Sequence, residues 1–453
     1  MTYLPARSLG ALLVSGVLLT TLPAHSLDLN SDSVNFSGFA TVSYGKALHD
    51  DGGLTSIYLG EDGEYRDFNV LGLRLDTDLH DRAQFAVQMT ASGITDYDPE
   101  FQWIYLNLNL MNHLDARVGR IRIPLFAYSD YLDVGYAYPW ISPPSMVYND
   151  GPFRTVEGIS LINNMKLGPV DSTLQVYGGK TEEELAIPGF EAELRLEDVK
   201  GFAWSLEYEW LQTRASYFES KSNGDLATID SIGPTIALFQ AAETIMGGNF
   251  MDTILWEDDE AYFAGLGLTL DFDSVFLIAE KTQVRKAQAL PVGDVDSYYL
   301  TAGIRPIENW TFALTFAHDH DRYKNDALKE YMTAYGNFMT LTGGGLGNSF
   351  DLFGLGALDT LTDAQELGFA PTVIPFVGAL PGVGGILTIA NATPYNDDDT
   401  YMLNARWDFH PKAAMKFEYM YRQMRSSSVE TNLLGMDKKT DSDAFRIALD
   451  LVF

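Results

Sequence analysis

Apolar and polar residues alternate along many segments of this chain, and each such segment is about ten residues long, the length of a tilted membrane-crossing strand. The apolar row of one segment comprises Phe445, Ile447, Leu449, Leu451 and Phe453. Polar or small residues such as Arg446 and Asp450 occupy the alternate positions. A period of two predicts β-strands, because successive side chains of a strand point to opposite faces. The same pattern recurs at 71–76, 204–210, 310–316 and 401–409.

The connections between these segments alternate between short and long. Short connections are expected at 79–82, 111–114, 168–171, 198–201, 272–274, 306–309 and 410–412. Long ones are expected near 47–65, 93–99, 124–155, 181–190, 217–258, 288–295, 321–398 and 426–441. Seven short and eight long connections predict sixteen strands. The sequence therefore predicts an all-β fold, a transmembrane antiparallel β-barrel with short periplasmic turns and long extracellular loops. Closing the barrel removes the unpaired edges of the sheet.

The first 26 residues have the composition of a signal peptide. Arg7 is their one charged residue, residues 9–22 are mostly apolar, and Ala24 and Ser26 occupy the positions that a signal peptidase reads. A membrane anchor is disfavoured, because the apolar run is shorter than the ~20 residues that span a bilayer. We predict a signal peptide at 1–26, a barrel domain at 27–453 and a location in the Gram-negative outer membrane.

Composition excludes several other classes of function. The chain has 62 acidic and 30 basic residues, so its formal net charge of -32 argues against binding to nucleic acid. It has no cysteine, which excludes a disulfide scaffold, a thiolate metal site and a cysteine nucleophile. The segment 318–321 offers two histidines on one face, but a loop-edge cluster is the favoured interpretation. We expect no enzyme activity, no cofactor and no metal site.

Three segments of the chain resemble the sixteen-stranded porins of Gram-negative outer membranes, of the general and phosphate-selective types. They are FSGFATV at 36–42, VGRIRIP at 118–124 before the long third loop, and the strand that ends in Phe453. The resemblance implies a homotrimer, and it implies that the barrel-assembly machinery reads Phe453 during insertion. It also implies a water-filled channel for passive diffusion of small hydrophilic solutes and ions. The long, partly apolar seventh loop at 321–398 departs from the pattern of general porins.

The third loop, expected at 124–155, carries most of the functional interest. In the porins that the chain resembles, this loop folds into the lumen and narrows it. Asp130 and Asp133 would then face the opening. Candidate aromatic contacts for a solute are Tyr128, Tyr131, Tyr136, Tyr138 and Trp140. The alternative is that these rings pack the loop against the inner wall.

Several arginines would oppose the acidic loop from the barrel wall. On the polar faces of the strands that close the barrel lie Arg74, Arg406, Arg422 and Arg446. Arg120 and Arg122 are expected to join them, although Arg117 has the opposite parity. Lipid-facing arginines would cost ~2–4 kcal/mol each at the bilayer midplane, which favours the lumen. The alternative is a set of internal salt bridges, with Glu207, Asp408, Glu418 or Asp450, that stiffen the wall.

The sequence leaves three functions open. A general porin is the main prediction. A substrate-specific channel, for example for oligosaccharides, would use a lane of aromatic rings, which stack on sugars. A barrel capped by its seventh loop would act as an adhesin or receptor. Expected partners are outer-membrane lipid, small hydrophilic solutes and lipopolysaccharide, to which divalent cations would bridge the acidic clusters of the loops.

Overall fold

A computed structural model of the protein describes most of the chain. The described residues are 33–50, 62–66, 68–148, 154–187, 190–224, 256–286, 294–322, 395–427 and 438–453. The predicted signal peptide and most of the predicted seventh loop therefore lie outside the described residues. No helix within these ranges is long and apolar enough to cross a membrane.

Sixteen strands form one closed antiparallel barrel, as the sequence predicted. They are β1 (Val34–Asp50), β2 (Val70–His80), β3 (Ala83–Ser92), β4 (Pro99–Met111), β5 (Leu114–Arg122), β6 (Thr155–Leu167), β7 (Val170–Ile187), β8 (Phe190–Tyr208), β9 (Leu211–Gly224), β10 (Trp256–Asp271), β11 (Val275–Lys286), β12 (Asp294–Ile307), β13 (Trp310–Arg322), β14 (Tyr395–His410), β15 (Ala413–Ser427) and β16 (Lys438–Val452). Each strand pairs with its sequence neighbours, and β1 pairs with β16 to close the barrel. Single 3₁₀ turns lie at Gly93–Thr95, Ser129–Tyr131 and Gly135–Ala137.

The alternation in the sequence sets the two faces of the wall. In β16, Phe445 is 36% exposed on the outer face, whereas its neighbour Arg446 is buried on the inner face. The same holds in β14, where Leu403 is exposed and Asn404 is buried. The outer row is apolar because it meets lipid, and the inner row carries the polar and small residues.

The fourth short turn was predicted in the wrong place. The expected turn at 198–201 is an irregularity inside β8, where the pairing with β9 shifts between Glu197 and Lys200 and Asp198 has a positive φ of 51°. The actual turn is at residues 209–210, between β8 and β9. The long loop expected at 181–190 was also wrong, because β7 continues to Ile187 and β8 begins at Phe190. Acidic residues suggested a loop there, but they lie on paired strands.

Phe453 lies at the seam where the barrel closes. Its backbone N–H donates to the carbonyl of Gly38, and its carbonyl accepts from the N–H of Gly38, both at 3.0 Å. A Cβ on Gly38 would lie 2.5 Å from the Phe453 ring, so the ring packs where only glycine leaves room. Recognition of Phe453 by the assembly machinery stays a prediction.

Candidate functional site: the third loop and the wall beneath it

The connection between β5 and β6, here called the third loop, runs along the inner side of the barrel wall. The carbonyl of its Leu125 accepts from Ser216 of β9 at 2.5 Å, and the indole N–H of Trp140 donates to Thr315 of β13 at 2.8 Å. Farther round, Tyr136 donates to the carbonyl of Pro411 at 3.0 Å, in the turn between β14 and β15. Because these partners lie on widely separated strands of one closed barrel, a single segment reaches all of them only from the inside.

Aromatic rings of the third loop form a packed cluster with the wall. Tyr128 stands edge-on to Trp140 at 5.6 Å between ring centroids, and Trp140 stands edge-on to Tyr299 of β12 at 5.6 Å. Trp140 is 0% exposed and Tyr138 is 4% exposed. Burial raises the pKa of Tyr138 well above its usual range, so its hydroxyl stays protonated. The cluster therefore holds the loop in place.

This packing corrects the expected aromatic lane for solutes. Tyr128, Tyr138 and Trp140 pack against one another; Tyr138 and Trp140 are buried and cannot stack on a sugar, whereas Tyr128 is half-buried. Tyr136 is half-buried beneath the guanidinium of Arg406, 4.6 Å from its ring centroid. Tyr131 is 40% exposed and stays available to a solute.

Basic side chains of β14 and β15 bind the backbone of the third loop. The buried ammonium of Lys416 donates to the carbonyl of Gly135 and, at 2.6 Å, to that of Trp140. Arg406 Nη1 donates to the carbonyls of Tyr136 at 2.7 Å and Tyr138 at 3.0 Å. Four carbonyls between residues 135 and 140 are thus bound by two cations.

Carboxylates of the wall neutralise these cations and their neighbours. Lys416 pairs with Asp450 at 2.9 Å, and Arg406 pairs with Asp408 at 2.7 Å. Arg446 pairs with the buried Glu418 and also donates to Ser142 of the loop at 3.1 Å. Arg422 pairs with Asp398, which is 0% exposed. Arg74 donates two hydrogen bonds to Asp76, at 2.7 and 2.9 Å, and its guanidinium lies over the ring of Trp103.

These contacts correct the expected basic lining of the pore. Arg406, Arg422 and Arg446 do face inward, as the parity predicted, but each is paired with a carboxylate, and Arg406 and Arg446 also bind the third loop. They do not oppose the acidic loop across open water. The alternative of internal salt bridges describes this sector of the wall better.

On the opposite side, β9 and β11 bind the start and end of the loop. Glu280 accepts from the N–H of Ala127 at 2.7 Å and from the hydroxyl of Tyr148 at 2.5 Å. Arg214 donates to the carbonyl of Pro124 at 3.0 Å. The loop is therefore held by cations on one side and chiefly by a carboxylate on the other.

The two candidate acids of the loop differ in environment. Asp133 pairs with Arg122 at 2.6 Å and with Arg154 at 3.9 Å. Burial by itself would raise the pKa of Asp133, but the two arginines outweigh it and hold the pKa below its ordinary value. Asp130 is exposed and forms no ion pair with another described residue. Asp130 therefore stays a candidate for the pore lining, and Asp133 with Arg122 is a buried pair beneath it.

Comparisons with known proteins agree on the architecture. No protein-family model and no curated protein matches the sequence. Among solved structures, the outer-membrane channel DcaP of Acinetobacter baumannii is 11% identical, with 93% of this chain and 97% of that chain covered and a TM-score of 0.52. OmpF of Salmonella typhi in complex with daunomycin is 11% identical, with 93% and 97% covered and a TM-score of 0.51. OprB of Pseudomonas putida is 11% identical, with 93% and 94% covered and a TM-score of 0.51.

The chain has the fold of outer-membrane porins. Antiparallel barrels of this kind belong to the bacterial outer membrane, and the fold assigns the protein to that membrane. At these identities the likeness concerns the fold alone, so the roles of individual residues rest on the geometry of this chain.

In this porin fold, Arg122 of β5 contacts the loop inside the barrel, whereas Arg117 and Arg120 lie on the faces opposite to those expected. Arg120 is paired with Ile104 of β4 and Glu157 of β6. These residues lie on the outer face of the wall, where Val118 and Ile159 are exposed. The expected place of Arg120 in the pore was therefore wrong, and it pairs instead with Glu157 at 3.8 Å. Arg117 lies on the inner row and covers the ring of Tyr105, 5.0 Å from the centroid.

Sequence reasoning also missed Lys416, Glu280 and Arg214. Lys416 shares the inner parity of Glu418 and Arg422, and that signal was available in the sequence. Nothing near Glu280 or Arg214 in the sequence marks them, because their partners lie 153 and 90 residues away along the chain.

Proposed function

We propose that the protein is a porin that forms a water-filled channel for passive diffusion of small hydrophilic solutes and ions. The observation that carries the proposal is the docking of the third loop on the inner wall by charged side chains on two sides. A loop that is bound to the inside of a closed barrel narrows the passage. It does not close the passage, because it adds no strand to the sheet. Such an arrangement supports diffusion down a gradient rather than catalysis, and we propose no enzyme activity.

The exposed side of the loop supplies the proposed constriction. Asp130 and Tyr131 are exposed there. Burial raises the pKa of Tyr131, nearby Asp130 raises it further, and Arg214 opposes the rise while Glu207 adds to it. Because the basic residues of β14–β16 are paired, exposed carboxylates should give the channel a mild preference for cations.

Conductance in a planar bilayer tests this function. The purified protein should give stable single channels, with a reversal potential under a salt gradient that indicates mild cation selectivity. A variant shortened between Tyr128 and Tyr148 should fold and conduct more, because the proposed constriction is removed. An unchanged conductance would mean that the loop lies outside the path of permeation.

Liposome swelling with sugars of graded size separates the alternatives. Uptake limited only by size supports a general porin, whereas saturable uptake supports a substrate-specific channel. No swelling supports a capped barrel that acts as an adhesin or receptor. The segment expected to form such a cap, 321–398, lies almost wholly outside the described residues.

We also propose a homotrimer, which the uneven outer surface supports. The exposed large apolar residues of strands β1–β7 are aliphatic except for Phe101; examples are Val42, Leu71, Val118, Ile159, Leu161 and Val176. Strands β8–β16 expose rings as well as aliphatic residues such as Leu266, Ile304 and Leu314; the rings are Phe202, Trp204, Tyr298, Phe312, Tyr401, Trp407, Phe409, Tyr419 and Phe445. Aromatic residues mark the surface that meets lipid at the membrane interfaces. The aliphatic face is therefore proposed to contact other copies.

Single cysteines test this arrangement, because the chain has none of its own. A short bismaleimide should link copies through Ile159→Cys and not through the matched exposed position Leu314→Cys. Native mass spectrometry should give three copies per particle. Equal linking at both positions would contradict the proposed face. The remaining proposed partners are lipopolysaccharide, outer-membrane lipid and, during export and insertion, a signal peptidase and the barrel-assembly machinery.

A further inference from the structure

The ammonium group of Lys416 donates to two backbone carbonyls of the loop and forms an ion pair with a carboxylate of the wall. An ammonium group has three donors and no acceptor. The three oxygens that surround it are the carbonyls of Gly135 and Trp140 and the carboxylate of Asp450, the last at 2.9 Å. The ring of Tyr138 lies 4.9 Å from the same ammonium group. Lys416 and Asp450 are both 0% exposed, so no water competes for these bonds.

The shape of the loop tip also fits this place. A Cβ on Gly135 would collide with Oδ1 of Asp450 and would lie 2.6 Å from the hydroxyl of Thr41. Thr41 in turn donates to Asp450 at 2.6 Å, which fixes the carboxylate. Charge and shape are independent features, and both specify contact between the tip of the loop and the wall at Lys416.

We propose that Lys416 is a positioning residue that sets how far the third loop projects into the channel. The proposal rests on the proposed channel function. Backbone hydrogen bonds between β14, β15 and β16 close this part of the barrel, and Lys416 is only one of the residues in that register. Its side chain reaches the loop as well as Asp450 of the neighbouring strand β16. Loss of Lys416 should therefore release the tip and leave the closed barrel standing.

The Lys416→Met variant tests this role, with Lys412→Met as its matched control. Lys412 is exposed in the turn between β14 and β15, so its replacement removes the same charge without touching the loop. Lys416→Met should show a higher single-channel conductance and greater open-channel noise than the wild type. Lys412→Met should match the wild type, and Lys416→Arg should recover most of the wild-type behaviour. Folding is checked by the heat-modifiable mobility of the barrel on gels.

A second variant keeps the test decisive if Lys416→Met does not fold. Gly135→Ala changes no charge and disturbs the same contact from the side of the loop, so it should shift conductance and noise in the same direction. Limited proteolysis reads the loop without conduction: both variants should be cut within 123–154 faster than the wild type. Folded variants with wild-type conductance, noise and proteolysis would overturn the proposal. If the wild type conducts no ions but the loop of both variants is cut faster, the channel function is wrong and the positioning role of Lys416 stands.

Discussion

Replacing Arg446 by Gln should destabilise the barrel without changing its ion selectivity. Arg446 Nε donates to Glu418 at 2.7 Å, a second guanidinium nitrogen contacts the same oxygen, and Phe68 lies 4.5 Å from the charge. Removing one partner of a buried ion pair costs ~3–5 kcal/mol, because the other charge stays buried. Glu418 would keep bonds from Asn404 at 2.6 Å and from the N–H of Ile141 at 3.4 Å. We therefore expect the low end, about 3 kcal/mol, or roughly a hundredfold in the folding equilibrium.

Two comparison variants sharpen this measurement, which uses urea unfolding of the barrel in lipid vesicles. The double variant with Arg446→Gln and Glu418→Gln removes both charges and should recover much of the lost stability. Arg425→Gln breaks an exposed pair with Asp397 at 3.6 Å and should cost ~0–1 kcal/mol. A loss for Arg446→Gln no greater than that for Arg425→Gln would refute the buried pair. A reversal potential that shifts toward cations at unchanged stability would return Arg446 to the pore lining.

Three further predictions concern the loop and the seam. Asp130→Asn should shift the reversal potential toward anions, whereas Asp133→Asn should leave it unchanged, since Asp133 is paired with Arg122; the opposite result would exchange their roles. Because the pKa of Asp133 is lowered, its pairing stabilises the loop fully above the ordinary carboxyl pKa of ~3.9, and this stabilisation is lost as pH falls through the lowered value. Proteolysis of the loop should thus increase in acid for the wild type, and Asp133→Asn should lose that dependence; equal acid responses would contradict the pair. Phe453→Asp should reduce the amount of folded, heat-modifiable barrel in outer membranes. Normal amounts would mean that assembly requires neither the seam contact nor the assembly signal at Phe453.

The fold was predictable because lipid imposes a regular constraint on every strand. Each outer row must be apolar, so the period of two repeats around the barrel and the number of strands can be counted. The constraint ends where a strand leaves the membrane. Residues 181–190 contain the acidic run Glu182, Glu183 and Glu184 and were assigned to a loop, although β7 and β8 pair across most of that range. The misplaced turn at 198–201 has the same cause, since bulges and turns share polar residues and positive φ angles.

The candidate site was only partly predictable. The alternation along the strands placed Arg406, Arg422 and Arg446 on the inner face of the wall. It gives no information about which residues cover an inward side chain. Their function depends on contacts such as that between Lys416 and Trp140, which are separated by 276 residues in the chain. A loop without periodicity offers no pattern from which such a contact could be read.

The hydrogen bond between Tyr136 and the turn at Pro411 bears on the position, along the barrel, of the greatest resistance to flow. A loop whose tip is bound at the periplasmic rim places the narrow zone at one end of the barrel, in series with a wider approach from the cell surface. Most of an applied voltage should then fall across that inner end, and a solute should equilibrate with the external medium over most of the barrel's length. A blocker added from outside should therefore reach the narrow zone after crossing little of the field, and its block should depend only weakly on voltage.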